Sequence, residues 1–150
     1  MVGAIPGALP PLGGWLAATG EMSVEAWILF AILFAWQIPH FLSIAWIYRK
    51  DYKKGGFKMY TGEKKIMVFK AHIFVFTCLM VYYSVLPTMY GIAGLFYLFG
   101  AMTLGMLFFF ASMGLILNQS GKTAKILLKT TVFYLPLLLI IFIIDNNLAG

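Results

Sequence analysis

Apolar residues run along the chain in five blocks, approximately 2–18, 24–48, 66–86, 91–117 and 127–144, each near the ~20 residues with which a helix crosses a ~30 Å hydrocarbon core. The pattern predicts an all-α fold, a polytopic membrane helix bundle of about five transmembrane stretches. Residues 1–150 read as a single membrane domain, with no repeat or linker. The connecting segments 49–65 and 118–126 hold lysines, whereas 19–23 and 87–90 hold none, so charged and uncharged loops alternate. By the positive-inside rule, 49–65 and 118–126 are expected in the cytoplasm, together with the start of the first block, and the C-terminus outside.

Composition agrees with this reading. The chain is 62% hydrophobic and 11% charged, against roughly 25% charge in a soluble domain, and its mean hydropathy is +0.91. A net charge of +6 raises nucleic acid as a partner, but seven of the eleven basic residues fall between Arg49 and Lys65. That distribution reads as topology, and no nucleic-acid binding is expected. Cys78 lies alone in an apolar block and forms neither an internal disulfide nor a metal cluster. The first twenty residues lack a basic n-region and are too rich in Gly and Pro for a secretory signal.

Chemistry begins in the second block. Polar groups in hydrocarbon cost a few kcal/mol when unpaired, so Gln37 and His40 are expected to face the bundle interior, beside a kink at Pro39. At 100° per residue Gln37, His40, Ile44, Ile47 and Asp51 form one stripe, which sets His40 about 16 Å from Asp51. One reading has Gln37 and His40 bridging neighbouring helices. The other has a polar cavity, with His40 as a donor, proton shuttle or axial ligand to a metalloporphyrin. The following segment, RKDYKKGGFKM, carries Arg49, Lys50, Lys53, Lys54 and Lys58 around Asp51. It suits a polyphosphate, with the carboxylate on a bridging Mg²⁺, and equally an ordinary loop drawn to anionic lipid headgroups. His72 reads as an interfacial histidine. Lys122, Lys125 and Lys129, spaced i, i+3, i+7, read as a solvated helix end.

Four phrases then come in a familiar order: GAIPGALPPLGGW (3–15), WQIPHF (36–41), YRKDYKKGGFKM (48–59), and Thr131-x-x-Tyr134-Leu135 followed by Asp145. The chain resembles the protohaem IX farnesyltransferases, the haem O synthase branch of the UbiA-type intramembrane prenyltransferases. The resemblance implies transfer of the farnesyl group of farnesyl diphosphate to a vinyl group of haem B, in a bacterial or archaeal cell membrane. It implies Asp51, Lys54 and Arg49 as catalytic residues, with Asp51 on Mg²⁺, and Trp36, Gln37, His40, Tyr52, Lys53 and Lys58 as substrate-binding residues. It also makes the GALPPL phrase a candidate cavity lining, whose small residues suit a broken helix or close helix approach.

Two departures qualify that expectation. Members of this family have about nine transmembrane helices, and an Asp-rich motif precedes the GALPPL phrase by roughly two of them. Neither that motif nor those helices occur here, so the chain corresponds to a C-terminal half: a fragment, one part of a split enzyme completed by a second chain, or a relic. It is expected to be inactive alone. The alternative is a non-catalytic membrane assembly or haem-handling protein that retains half of the fold. Met59-Tyr60-Thr61, where the family more often continues Met-Leu-Pro, alters only the exit of the loop.

Overall fold

A computed structural model of the chain describes residues 4–55 and 65–149. Lys58, expected to bind substrate, lies outside the described residues. Six helices follow one another: α1 (Ala4–Thr19), α2 (Val24–Ile47), α3 (Arg49–Lys54), α4 (Ile66–Met89), α5 (Leu95–Asn118) and α6 (Gly121–Ala149). There is no strand among the described residues.

Four of these helices, α2, α4, α5 and α6, are long and apolar enough to cross a membrane. They close into a ring in which α2 packs on α4 and α6, and α5 packs on the same two from the other side. The chain is therefore an integral membrane helix bundle. The first apolar block forms α1, whose 16 residues extend about 24 Å, short of the ~30 Å core. It packs chiefly against α2.

Small and hydroxylated residues share the interior with larger apolar ones such as Phe69, Met80 and Phe108. Ala35, Ala101, Ser112, Ala124 and Thr131 are almost wholly buried, whereas Phe99, Phe110, Leu117 and Phe133 point outward. Such an arrangement suits lipid, where outward apolar side chains cost nothing and helices gain by close approach and mutual hydrogen bonds. A Cβ on Gly100 of α5 would lie 2.8 Å from Ile141 Cδ1 of α6, so a larger residue at this crossing would force the Ile141 side chain to move.

Polar contacts tie several of the helices together. Thr77 of α4 meets Ser112 of α5 at 2.9 Å, and Ser84 of α4 meets the Tyr134 hydroxyl of α6 at 2.7 Å. Asp145 of α6 accepts the backbone N–H groups of Gly94 and, at 3.0 Å, Tyr97. Its carboxyl group thus caps the first turn of α5, whose own N-cap, Gly94, has no side chain to offer. At the other end of α5, Gln119 takes a left-handed φ of 44° and turns the chain. Ser120 and Thr123 then cap α6 reciprocally, with backbone N–H to hydroxyl distances of 3.1 and 3.2 Å.

Candidate functional site

Three of the residues singled out in the sequence, Trp36, His40 and Arg49, lie along the seam between α2 and α6. Midway along it, Trp36 Nε1 donates to the Thr131 carbonyl at 2.8 Å, and His40 Nδ1 lies 2.8 Å from the Thr131 hydroxyl. The two rings stack on each other, their centroids 4.8 Å apart and their planes 18° from parallel. The Thr131 hydroxyl donates its single proton to the Leu128 carbonyl at 2.6 Å. It can then only accept from His40, which assigns the proton to Nδ1 and leaves the lone pair on Nε2. No described residue hydrogen-bonds Nε2. An imidazole anchored in this way, one nitrogen donating and the other open, is arranged as a base or as a ligand to a metal.

Gln37 goes elsewhere. It is 4% exposed, and among the described residues neither of its amide atoms has a hydrogen-bond partner. It faces α1, where a Cβ on Gly7 would come within 2.6 Å of its Oε1. The glycine of the GALPPL phrase therefore permits a close approach of α1 to α2. The expected common stripe of Gln37 and His40 divides, because the 60° between positions three apart on a helix is enough to address different neighbours. The stripe also stops short of Asp51, since α2 ends at Ile47 and Tyr48 (φ −93°, ψ 12°) leaves helical geometry before α3 begins. Pro39 lies inside α2 without ending it.

At the lysine-bearing end, Arg49 folds back on α2. Its Nη1 donates to the Trp46 carbonyl at 2.7 Å, and its guanidinium lies 4.4 Å over the Trp46 ring, which is itself buried against Phe69 at 5.1 Å. This hydrogen bond and cation–π contact fix a cation at the end of the seam. Arg49 and Lys50 line one side of an open groove of about 720 Å³, and Lys122, Lys125 and Lys129 of α6 line the other, over Ile47 and Ile126. Asp51 and Lys54 are exposed and do not line it, and Tyr52 is half-buried on α3. Lys53 falls in the same short helix. The candidate residues are thus divided: Arg49 joins the groove, while Asp51, the expected Mg²⁺ ligand, stands outside it. Among the described residues no three metal-ligating side chains come together, so Asp51 does not by itself make a metal site.

Reading the sequence alone missed the three α6 lysines as partners of Arg49. Their i, i+3, i+7 spacing puts them on one face, but only the packing of α6 on α2 makes that face a wall.

The opposite end of the seam opens into an apolar cavity of about 270 Å³. Trp15, Ile28, Ile32, Leu135, Leu138 and Phe142 contribute to its wall, and Glu25 is its one charged lining residue among the described residues. A cavity of ~150 Å³ already admits benzene, so this one takes a substantially larger hydrocarbon group. His72 is remote from these features; its Nδ1 lies 2.6 Å from the Val68 carbonyl of its own helix.

Comparison with known proteins agrees with this membrane architecture. Residues 1–141 match the profile of the UbiA prenyltransferase family. The chain is 39% identical to the Protoheme IX farnesyltransferase of Solibacter usitatus, over 97% of this chain and 50% of that protein. It is 41% identical to the protein of the same name from Salinibacter ruber, over 97% of this chain and 52% of the relative. For the one from Cytophaga hutchinsonii the figures are 39%, 97% and 51%. The chain thus spans about half the length of the curated relatives it matches. No solved structure matches it significantly. With a family profile covering nearly all of its length and a helix bundle to carry it, the chain belongs to the UbiA prenyltransferase family.

Proposed function

We propose that this chain is the C-terminal, acceptor-handling portion of a protohaem IX farnesyltransferase. In the reaction, the allylic C–O bond of farnesyl diphosphate breaks and diphosphate leaves with the bonding electrons. The vinyl group of haem B then supplies its π electrons to the farnesyl carbon, and water captures the new cation with loss of a proton to give haem O.

The α2–α6 seam carries this reading, because it aligns the three environments such a reaction needs. The cationic groove lies at one end and the apolar cavity at the other, with the Trp36–His40 stack between them. A diphosphate or a porphyrin carboxylate suits the groove, and a prenyl chain suits the cavity. His40 Nε2 is available to the haem iron or to a proton in transit. Trp36 is positioned to present its ring to a cation. Names and alignments of the relatives support the same chemistry.

The diphosphate side is less complete. Asp51, Lys53, Lys54 and Lys58 would meet the leaving group from the loop, with Asp51 one ligand to Mg²⁺. The remaining carboxylates are expected from the half of the relatives that this chain does not span, and the chain alone is expected to be inactive. Its lysine-bearing end faces the cytoplasm of a bacterial or archaeal cell.

A host lacking its own haem O synthase tests the proposal. Haem extracted after co-expression of the chain with helices carrying an Asp-rich motif is expected to contain haem O. A chromatogram of haem B alone, with both chains inserted, contradicts it and favours the non-catalytic, haem-handling alternative.

A further inference from the structure

Five cations line the groove at the lysine-bearing end of the seam, and no carboxylate lines it among the described residues. A site for a Mg²⁺-diphosphate complex needs acidic side chains to hold the metal. A groove of cations alone suits an anion that arrives without a metal, such as a pair of carboxylates.

Its distance from the imidazole points the same way. Lys129 and Lys125 precede Thr131, the hydrogen-bond partner of His40, by two and six residues, about 3 and 9 Å along α6. Ile47, on the groove floor, follows His40 by about 10 Å along α2. A porphyrin whose iron faces His40 would bring its carboxylate edge to this groove. The floor of Ile47 and Ile126 offers apolar contact to the ring edge between the cations.

We infer that the Arg49–Lys50 and Lys122–Lys125–Lys129 walls bind the two propionates of the acceptor porphyrin and so set its orientation, leaving the loop around Asp51 to the diphosphate. Arg49 is pre-set for this role by its contacts with Trp46. Lys122, Lys125 and Lys129 are exposed and carry no structural contact whose loss would unfold the bundle. This inference rests on the haem-acceptor reading above and deepens it.

The test uses the full chain in nanodiscs of neutral lipid, titrated with haemin and with haemin dimethyl ester and followed by the Soret band. The wild-type chain is expected to bind the free acid at least ten-fold more tightly than the ester. In K122Q/K125Q/K129Q that gap should close to within about two-fold, with ester affinity unchanged. Millimolar pyrophosphate should not displace haemin, and anionic lipid in the disc should leave the gap in place.

Equal binding of acid and ester by the wild type, or a gap that survives the triple substitution, overturns the inference while leaving the haem-acceptor reading intact. Displacement by pyrophosphate would give the groove to the diphosphate, and collapse of the gap in anionic discs would give it to lipid headgroups. Either result rejects propionate binding. Failure of both porphyrins to bind would reject the acceptor reading together with this inference.

Discussion

Thr131 holds His40 by its hydroxyl and Trp36 by its backbone carbonyl, each at 2.8 Å, so that one residue of α6 fixes both rings of the α2 stack. Substitution by valine removes only the hydroxyl. Thr131→Val is expected to lower stability by about 1 kcal/mol, within the usual range for hydrogen bonds between membrane helices. The Trp36 bond should persist, keeping indole fluorescence near that of the wild type. Unfolding in mixed micelles checks the first expectation; an unchanged midpoint would show that the hydroxyl contact contributes nothing.

Gln37 offers an opposite case. Its amide is buried without a partner among the described residues, a costly arrangement unless a ligand satisfies it. Gln37→Met, similar in volume, should therefore raise stability by about 1 kcal/mol. Gly7→Ala, whose Cβ would press on Gln37, should lower it. A Gln37→Met variant that loses stability would mean that the amide is satisfied within the chain.

Asp145 caps α5 from another helix. Removing it leaves the Gly94 and Tyr97 N–H groups without an acceptor, which costs about 2 kcal/mol for a buried bond to a charged group. Asp145→Ala should therefore speed amide exchange in the first turn of α5 while leaving its last turn protected. Uniform protection along α5 would contradict the cap.

The orientation of the bundle can be read by labelling. With Cys78 replaced, cysteines at Lys54 and Lys122 should react with a charged reagent only from the cytoplasmic side, and one at Thr88 only from outside. Reaction of Lys54 and Thr88 positions from the same side would rule this topology out.

The helix bundle was legible because hydrophobic blocks of membrane length show in each segment separately, although the first block forms a helix of only 16 residues and not a fifth span. The site was legible only in its parts. Gln37 and His40 stood out as polar side chains in an apolar run and Arg49 as the start of a basic one, whereas Trp36 came only with the family resemblance. The partners of Trp36, His40 and Arg49, namely Thr131 and the α6 lysines, lie some 70 to 95 residues away, and an ordinary threonine or a lysine stripe has no local signal for what it will meet. The phrase ending in Asp145 gained its meaning from packing: Thr131 ties α6 to α2, Tyr134 ties it to α4, and Asp145 ties it to α5. Gln37 was misplaced relative to His40 because a helical wheel gives directions but not neighbours.

His40, held at Nδ1 by Thr131, is expected to present Nε2 to the iron of a bound porphyrin. Electron paramagnetic resonance of ferric haem bound to the full chain tests it most directly, comparing wild type with His40→Ala before and after addition of free imidazole. A histidine-ligated signal in the wild type, lost in His40→Ala and restored by imidazole, is the predicted result. The same signal in both proteins without added imidazole would contradict the claim and leave His40 as a tie between α2 and α6.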